Sequence, residues 1–206
     1  MISTFALFLF GFLSTGTSYA STELSHSEKF KVTITNDQTG ESTVSILDPN
    51  DKNNNVKINS ILSSNQSKVV GYDVFVPIKT PNSSKITPLD DTGGSKNEGG
   101  VTARLNVNYD VSTNGEQIKL NKVYGSWTPS SSMYYLTNRT VNAHSGAVHG
   151  NNLVNYPTSN TFSYTTGWGY NYFATGQGSP RAWSSAKINI SGMTSTYTIK
   201  LEITYP

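Results

Sequence analysis

Hydrophobic and polar residues alternate along most of this 206-residue chain. Phe30, Val32 and Ile34 are separated by Lys31 and Thr33, and Val44 and Ile46 by Ser45. Between the two runs, Asn36-Asp37-Gln38-Thr39-Gly40 has turn chemistry, so the segment predicts a hairpin. Val70, Tyr72, Val74 and Val76 form a third alternating run. The clearest run is Val101, Ala103, Leu105, Val107, Tyr109 and Val111, whose gaps hold Thr102, Arg104, Asn106, Asn108 and Asp110. Such a strand has one face in a core and one in water. Thr113-Asn114-Gly115 turns the chain. Ile118 and Leu120 continue the pattern, and then the phase shifts to Val123 near Gly125, which predicts a bulge or bend. Near the far end, Ile188 and Ile190 lead through Gly192 to Tyr197, Ile199, Leu201, Ile203 and Tyr205. This last strand is long and should pair centrally or close a sheet.

No stretch sustains an apolar period of 3.6 residues. The expectation is therefore an all-β protein of about seven to ten strands, an antiparallel β-sandwich with a closed β-barrel as the alternative. Composition adds a division. Residues 21–100 hold eight Lys against ten Asp and Glu, whereas residues 101–206 hold seven Lys and Arg against three. The boundary, Pro77 to Gly100, carries three prolines and two Gly-Gly pairs. It reads as a linker or long mobile loop over 77–100. On this reading 21–76 is an N-terminal β-hairpin region and 101–206 the main β-sandwich domain.

The first residues do not fit either part. Residues 5–13 read FALFLFGFL, and Ser18-Tyr19-Ala20 follows a polar stretch. This predicts a signal peptide over 1–20, cleaved after Ala20. The apolar run is shorter than the ~20 residues needed to cross a bilayer. The expected location is secreted and extracellular. The absence of cysteine excludes a disulfide scaffold and thiolate metal sites, and suits bacterial export.

A formal net charge of +2 gives little drive toward nucleic acid, and no such partner is expected. The polar run Asp48–Asn55 lacks the Gly and the closing Glu of a calcium loop. His144 and His149 lie five apart, but no Asp or Glu occurs between Glu116 and Glu202 to complete a metal site. There is no nucleophile elbow, phosphate loop or dinucleotide fingerprint. Asp110 and Glu202 sit on the polar faces of regular strands, where surface charge is the plainer reading. No catalytic residue, metal or cofactor is expected.

One segment stands apart. Residues 124–183 hold 12 of the 18 aromatics found after residue 20, with Arg139 and Arg181 as the only formal charges. Trp127 and one of Phe162 and Tyr164 are expected in the core. The stretch Thr166-Gly167-Trp168-Gly169-Tyr170-Asn171-Tyr172 is a poor central strand because two glycines bracket the tryptophan. It predicts an aromatic-rich loop. The candidate ligand-binding residues are Trp168, Tyr170, Asn171, Tyr172 and Trp183. Flat rings can cover the C–H face of a sugar, Asn and hydroxyls can meet its OH groups, and glycine permits close approach. The expected function is non-enzymatic recognition of neutral glycan or another cell-wall or cell-surface polymer. Two alternatives remain open. One is a membrane-active factor, pore-forming or antimicrobial, that engages a membrane surface through its Trp and Tyr. The other is a structural or protein-interaction domain that adds partners at the strong strands 101–111 and 197–205. Nothing in the pattern sets an oligomeric state.

Overall fold

The computed structural model describes residues 28–47, 57–58, 61–62, 67–78, 99–146, 150–172 and 178–205. The segment 1–20 expected to be a signal peptide, the 48–55 run and His149 lie outside these residues. The described strands are β1 (Lys29–Asn36), β2 (Ser42–Leu47), β3 (Lys57–Ile58), β4 (Ile61–Leu62), β5 (Ser67–Pro77), β6 (Gly100–Val111) and β7 (Gln117–Pro129). They continue with β8 (Tyr134–His144), β9 (Asn152–Asn155), β10 (Thr161–Thr165), β11 (Asn171–Tyr172), β12 (Arg181–Ile190) and β13 (Thr196–Thr204).

These strands form two antiparallel sheets. Sheet 1 has the order β2-β1-β13-β12-β8-β9. Sheet 2 has the order β10-β7-β6-β5-β3, with β11 also on β7 and β4 also on β5. Neither sheet closes on itself, so the architecture is the sandwich and not the barrel. Period-two alternation is the reason. Each strand sends every second side chain inward, and the two inner faces meet.

Cross-strand rows build the core on sheet 2. Val70, Val107 and Val123 are register partners in turn. The next row is Tyr72, Leu105, Gly125 and Phe162, and the one beyond it is Val74, Ala103 and Trp127. Gly125 is required in its row. A Cβ there would lie 2.1 Å from the Arg104 carbonyl oxygen and 2.8 Å from the Phe162 ring. The Phe162 ring instead reaches over to Trp127, at 4.9 Å between centroids. Trp127 and Phe162 are buried, as the sequence predicts, while Tyr164 is only partly so. Sheet 1 answers with Phe30, Val32 and Ile34 of β1, Ile199, Leu201 and Ile203 of β13, and Ala182, Ala186 and Ile188 of β12.

The phase shift near Leu120 is a bulge. Asn108 pairs with Lys122 but Tyr109 pairs with Leu120, which leaves Asn121 as the extra residue. Its amide donates to the Asn108 side chain at 3.0 Å.

The compositional division does not divide the sheets. β1 lies between β2 and β13, and β5 lies beside β6 along eleven register pairs. The segment expected as a linker joins β5 to β6, and Pro77 faces Gly100 in the ladder. It is therefore the loop of a hairpin, because the strands on either side are hydrogen-bonded neighbours. Its residues 79–98 lie outside the described set. The last strand pairs centrally, between β1 and β12. That placement removes the free edges expected at 101–111 and 197–205, since β6 and β13 both have partners on each side.

One side chain crosses the core to join the sheets by hydrogen bonds. The Tyr72 hydroxyl on β5 donates to the Lys31 carbonyl of β1 at 2.7 Å and accepts the Glu202 N–H of β13 at 2.8 Å. Lys31 and Glu202 are themselves register partners. The ring also packs edge-on against Phe30, 5.2 Å between centroids. Burial pushes the Tyr72 pKa far above the ordinary phenol value, so the hydroxyl stays protonated.

Two changes test this core. Tyr72→Phe leaves the Glu202 N–H without its partner and should cost about 1–3 kcal/mol in urea unfolding. Ser184 is fully buried on the inner face of β12, and its hydroxyl has no hydrogen-bond partner among the described residues. Ser184→Ala should therefore leave the unfolding midpoint unchanged or raise it. A large loss of stability on Ser184→Ala would contradict that reading.

Candidate functional site

β10 and β11 are two pieces of one edge strand on β7. β10 pairs from Thr161↔Ser126 to Thr165↔Lys122, and β11 resumes at Asn171↔Ile118 and Tyr172↔Gln117. Both run antiparallel to β7. Residues 166–170 therefore span only residues 119–121 of the partner, so the edge strand bulges outward there. The bulge is the glycine-flanked tryptophan segment. Gly167 has φ +70, a left-handed conformation that favours glycine. Thr166 pins the start of the bulge. Its N–H donates to the Asn121 carbonyl at 3.0 Å, and its hydroxyl donates to the Leu120 carbonyl and accepts the Trp168 N–H at 3.2 Å.

The five candidate residues do not form one cluster. Tyr170 and Tyr172 are 44% and 52% exposed. They are two positions apart, so they stand on the same side of the chain about 7 Å from each other. The Lys119 ammonium lies 5.9 Å from the centre of the Tyr170 ring, and it also pairs with Asp110 at 3.5 Å. Gln117 is the register partner of Tyr172. Together these side chains make a shelf at the edge of sheet 2.

Asn171 points the other way and is only 8% exposed. Its amide nitrogen donates to the Ser145 carbonyl at 3.2 Å and lies 3.3 Å from the Ser145 hydroxyl. Ser145 follows β8 of sheet 1, so this contact ties the shelf to the opposite sheet. The expected role of Asn171 in meeting sugar hydroxyls is corrected to that of an anchor. Trp168 is half-buried and packs against the core, so it supports the bulge more than it presents a free face.

Trp183 stands apart from the other four. Its neighbours Ala182 and Ser184 face the core, which sends the indole to the outer face of sheet 1. The Arg181 guanidinium and Lys200 ammonium lie 5.7 and 5.3 Å from its ring centre. The sandwich separates it from the tyrosine shelf.

Pattern reading missed Tyr124, Tyr135 and Tyr156. Tyr124 faces outward from β7 with Lys122 5.3 Å from its ring centre, while Tyr135 and Tyr156 are exposed. Alternation after the bulge would have placed Tyr124, because Val123, Gly125 and Trp127 all point inward.

His144 accepts the Gly146 N–H at its Nδ1 nitrogen at 3.0 Å. Burial, and then the charge of Arg181, hold its pKa below the usual histidine value. Among the described residues no three His, Asp or Glu side chains gather as a metal would need. No helix among them is long and apolar enough to cross a membrane. No family model, curated protein or solved structure matches the chain.

Two carboxylates have measurable consequences. Burial alone would raise the Glu202 pKa, but a hydrogen bond and charge from Lys200, with charge from Lys31 and Arg181, outweigh it and lower the value. Burial likewise opposes, and Thr196, Thr198 and Lys187 outweigh, at Asp37. A lowered folded pKa stabilises the fold above the unfolded value, and the gain is lost as pH falls through the folded value. Stability should thus decline as pH drops below the ordinary carboxylate range. Glu202→Gln should flatten that decline in pH-dependent urea titrations, and parallel curves would refute the assignment.

Proposed function

We propose that the protein is a secreted, non-enzymatic recognition domain that binds neutral glycan through the Tyr170–Tyr172 shelf. The observation that carries this reading is the pair of exposed rings on a backbone fixed from both sides. β7 pairs with the segment, and Asn171 locks it to Ser145. Ordering cost on binding is small when the rings already sit on a fixed backbone. The chemistry suits an uncharged polyol. The rings offer apolar faces with phenol hydroxyls at their tips, and Gln117 lies beside them with an amide. Lys119, the one cation at the shelf among the described residues, already has a carboxylate partner in Asp110. The hydrophobic leader over 1–20 supports export to where cell-surface and cell-wall polymers lie.

The test is co-sedimentation of the purified protein with insoluble peptidoglycan, chitin and cellulose at low and high salt. Binding to one of them should persist in high salt and fall at least about tenfold in Tyr170→Ala/Tyr172→Ala, the effect of losing stacked aromatic contacts. The folded state of the double variant is checked by its urea midpoint. Failure to bind any polymer, together with dye release from liposomes, would replace this reading with the membrane-active one.

A further inference from the structure

Among the described residues the two sheets have four outer edges, and three of them are interrupted or short. On sheet 2, β10 and β11 are split by the bulge at 166–170, and β3 and β4 hold two residues each. On sheet 1, β9 holds four residues, and Pro157 follows soon after it. β2 is the exception. Its six residues pair with β1 without a register shift, and it has no second neighbour among the described residues. Ser42–Leu47 contains neither charge nor proline, the residues that commonly guard an open edge.

The same edge carries two exposed apolar side chains. Val44 is 54% and Ile46 74% exposed. They are two positions apart and so stand on one side of the strand. Their backbone groups also face the open edge. The Asn36 N–H donates to the Glu41 carbonyl at 2.9 Å, which makes Asn36–Glu41 a hydrogen-bonded pair of the hairpin. Hydrogen-bonded and non-hydrogen-bonded pairs alternate from there. Thr43 and Ser45 therefore direct their backbone groups to β1, at Ile34 and Val32, whereas Ser42, Val44 and Ile46 direct theirs away from it. Open ladder and exposed apolar surface coincide at Val44 and Ile46.

We propose that β2 pairs with β2 of a second copy of this chain, antiparallel about a two-fold axis at Ser45. Val44 then lies opposite Ile46 of the second copy, and Ile46 opposite its Val44. Both are hydrogen-bonded pairs, with about four backbone bonds between them. The apolar side chains that water now surrounds cover each other across the strands. The strand is its own complement, which favours a second copy over an unrelated peptide. A two-fold axis also sets each charge toward its own image, and β2 escapes that repulsion. The repeated charge nearest the axis among the described residues is Lys31 on β1, beside Ile46. It lies roughly 15 Å from its image, beyond the screening length of about 8 Å in physiological salt. The outcome is one continuous sheet through both copies. Where the tyrosine shelf holds glycan, the dimer carries two shelves and can grip a polymer at both. The pairing itself does not depend on that reading.

Sedimentation velocity of the purified protein between about 1 and 300 µM tests the proposal, a range suited to an interface smaller than the standard size. Monomer should convert to dimer as concentration rises. Val44→Lys/Ile46→Lys should weaken the dimer at least about tenfold and leave the urea midpoint of the monomer near its original value, because both side chains are exposed. A second variant reads the register directly. The chain has no cysteine, and the non-hydrogen-bonded pair at the axis brings the two Ser45 Cα atoms to about 4.5 Å, within reach of a disulfide. Ser45→Cys should form a linked dimer under mild oxidation, whereas Ser163→Cys, on the β10 edge, should stay monomeric. A protein that remains monomeric up to about 300 µM would overturn the proposal. So would dimerisation unchanged in Val44→Lys/Ile46→Lys, equal linking of the two cysteine variants, or growth beyond the dimer.

Discussion

The Tyr72 hydroxyl is the constraint on which the two-sheet arrangement turns. It is a polar atom carried on a buried ring, and a buried hydroxyl must be satisfied. It finds its partners on the far sheet, at Lys31 and Glu202, one of the register pairs where β1 meets β13. Apolar packing between two flat faces tolerates sliding, because area changes little with position. A hydrogen bond does not, because it fails beyond a few tenths of an ångström. Tyr72 therefore fixes how sheet 2 sits on sheet 1. It also joins three distant parts of the chain, since β1, β5 and β13 come from the first, middle and last thirds.

That junction explains why composition misleads about domains. The segment before residue 100 is acidic and the segment after it basic, and the proline- and glycine-rich stretch between them has the features of a linker. Among the described strand residues, however, the charged side chains sit on the outward-facing positions, which say nothing of which strands share a sheet. β1 fills a place between β2 and β13 that the later strands cannot fill themselves. Alternation marked most of the long strands and even the bulge at Asn121, because those depend on local spacing. Strand order did not follow, because it depends on partners far apart in sequence.

The same distinction governs the site residues. The exposure of Tyr170 and Tyr172 was legible from their spacing and from the glycines beside them. The inward turn of Asn171 was legible too, since a residue between two outward neighbours on an extended chain faces away from them. Its anchor, Ser145, was not, because it lies on the other sheet. Trp183 shows the limit most plainly. Alternation with Ala182 and Ser184 sends it outward, but parity gives a face and does not say which sheet owns that face. Grouping it with Trp168 by aromatic density joined two surfaces that the whole core separates.

The bulge that presents the tyrosines also solves a problem of the fold. β10 and β11 form an outer edge of sheet 2, and an open edge invites pairing with another chain. A regular strand along the whole of β7 would offer an unbroken ladder. The excess residues at 166–170 break it into pieces of five and two residues, with Gly167 turned out of the strand conformation. Trp168 packs back on the core and keeps the bulge from collapsing flat. Edge protection and ring display thus come from one distortion. Removing the distortion to extend the strand would bury the rings' setting and expose the ladder together. The two needs reinforce each other, which is why an edge strand is a suitable place for this shelf. The interior strands that carry Trp183 have no such freedom, and they present side chains only at the fixed spacing of the ladder.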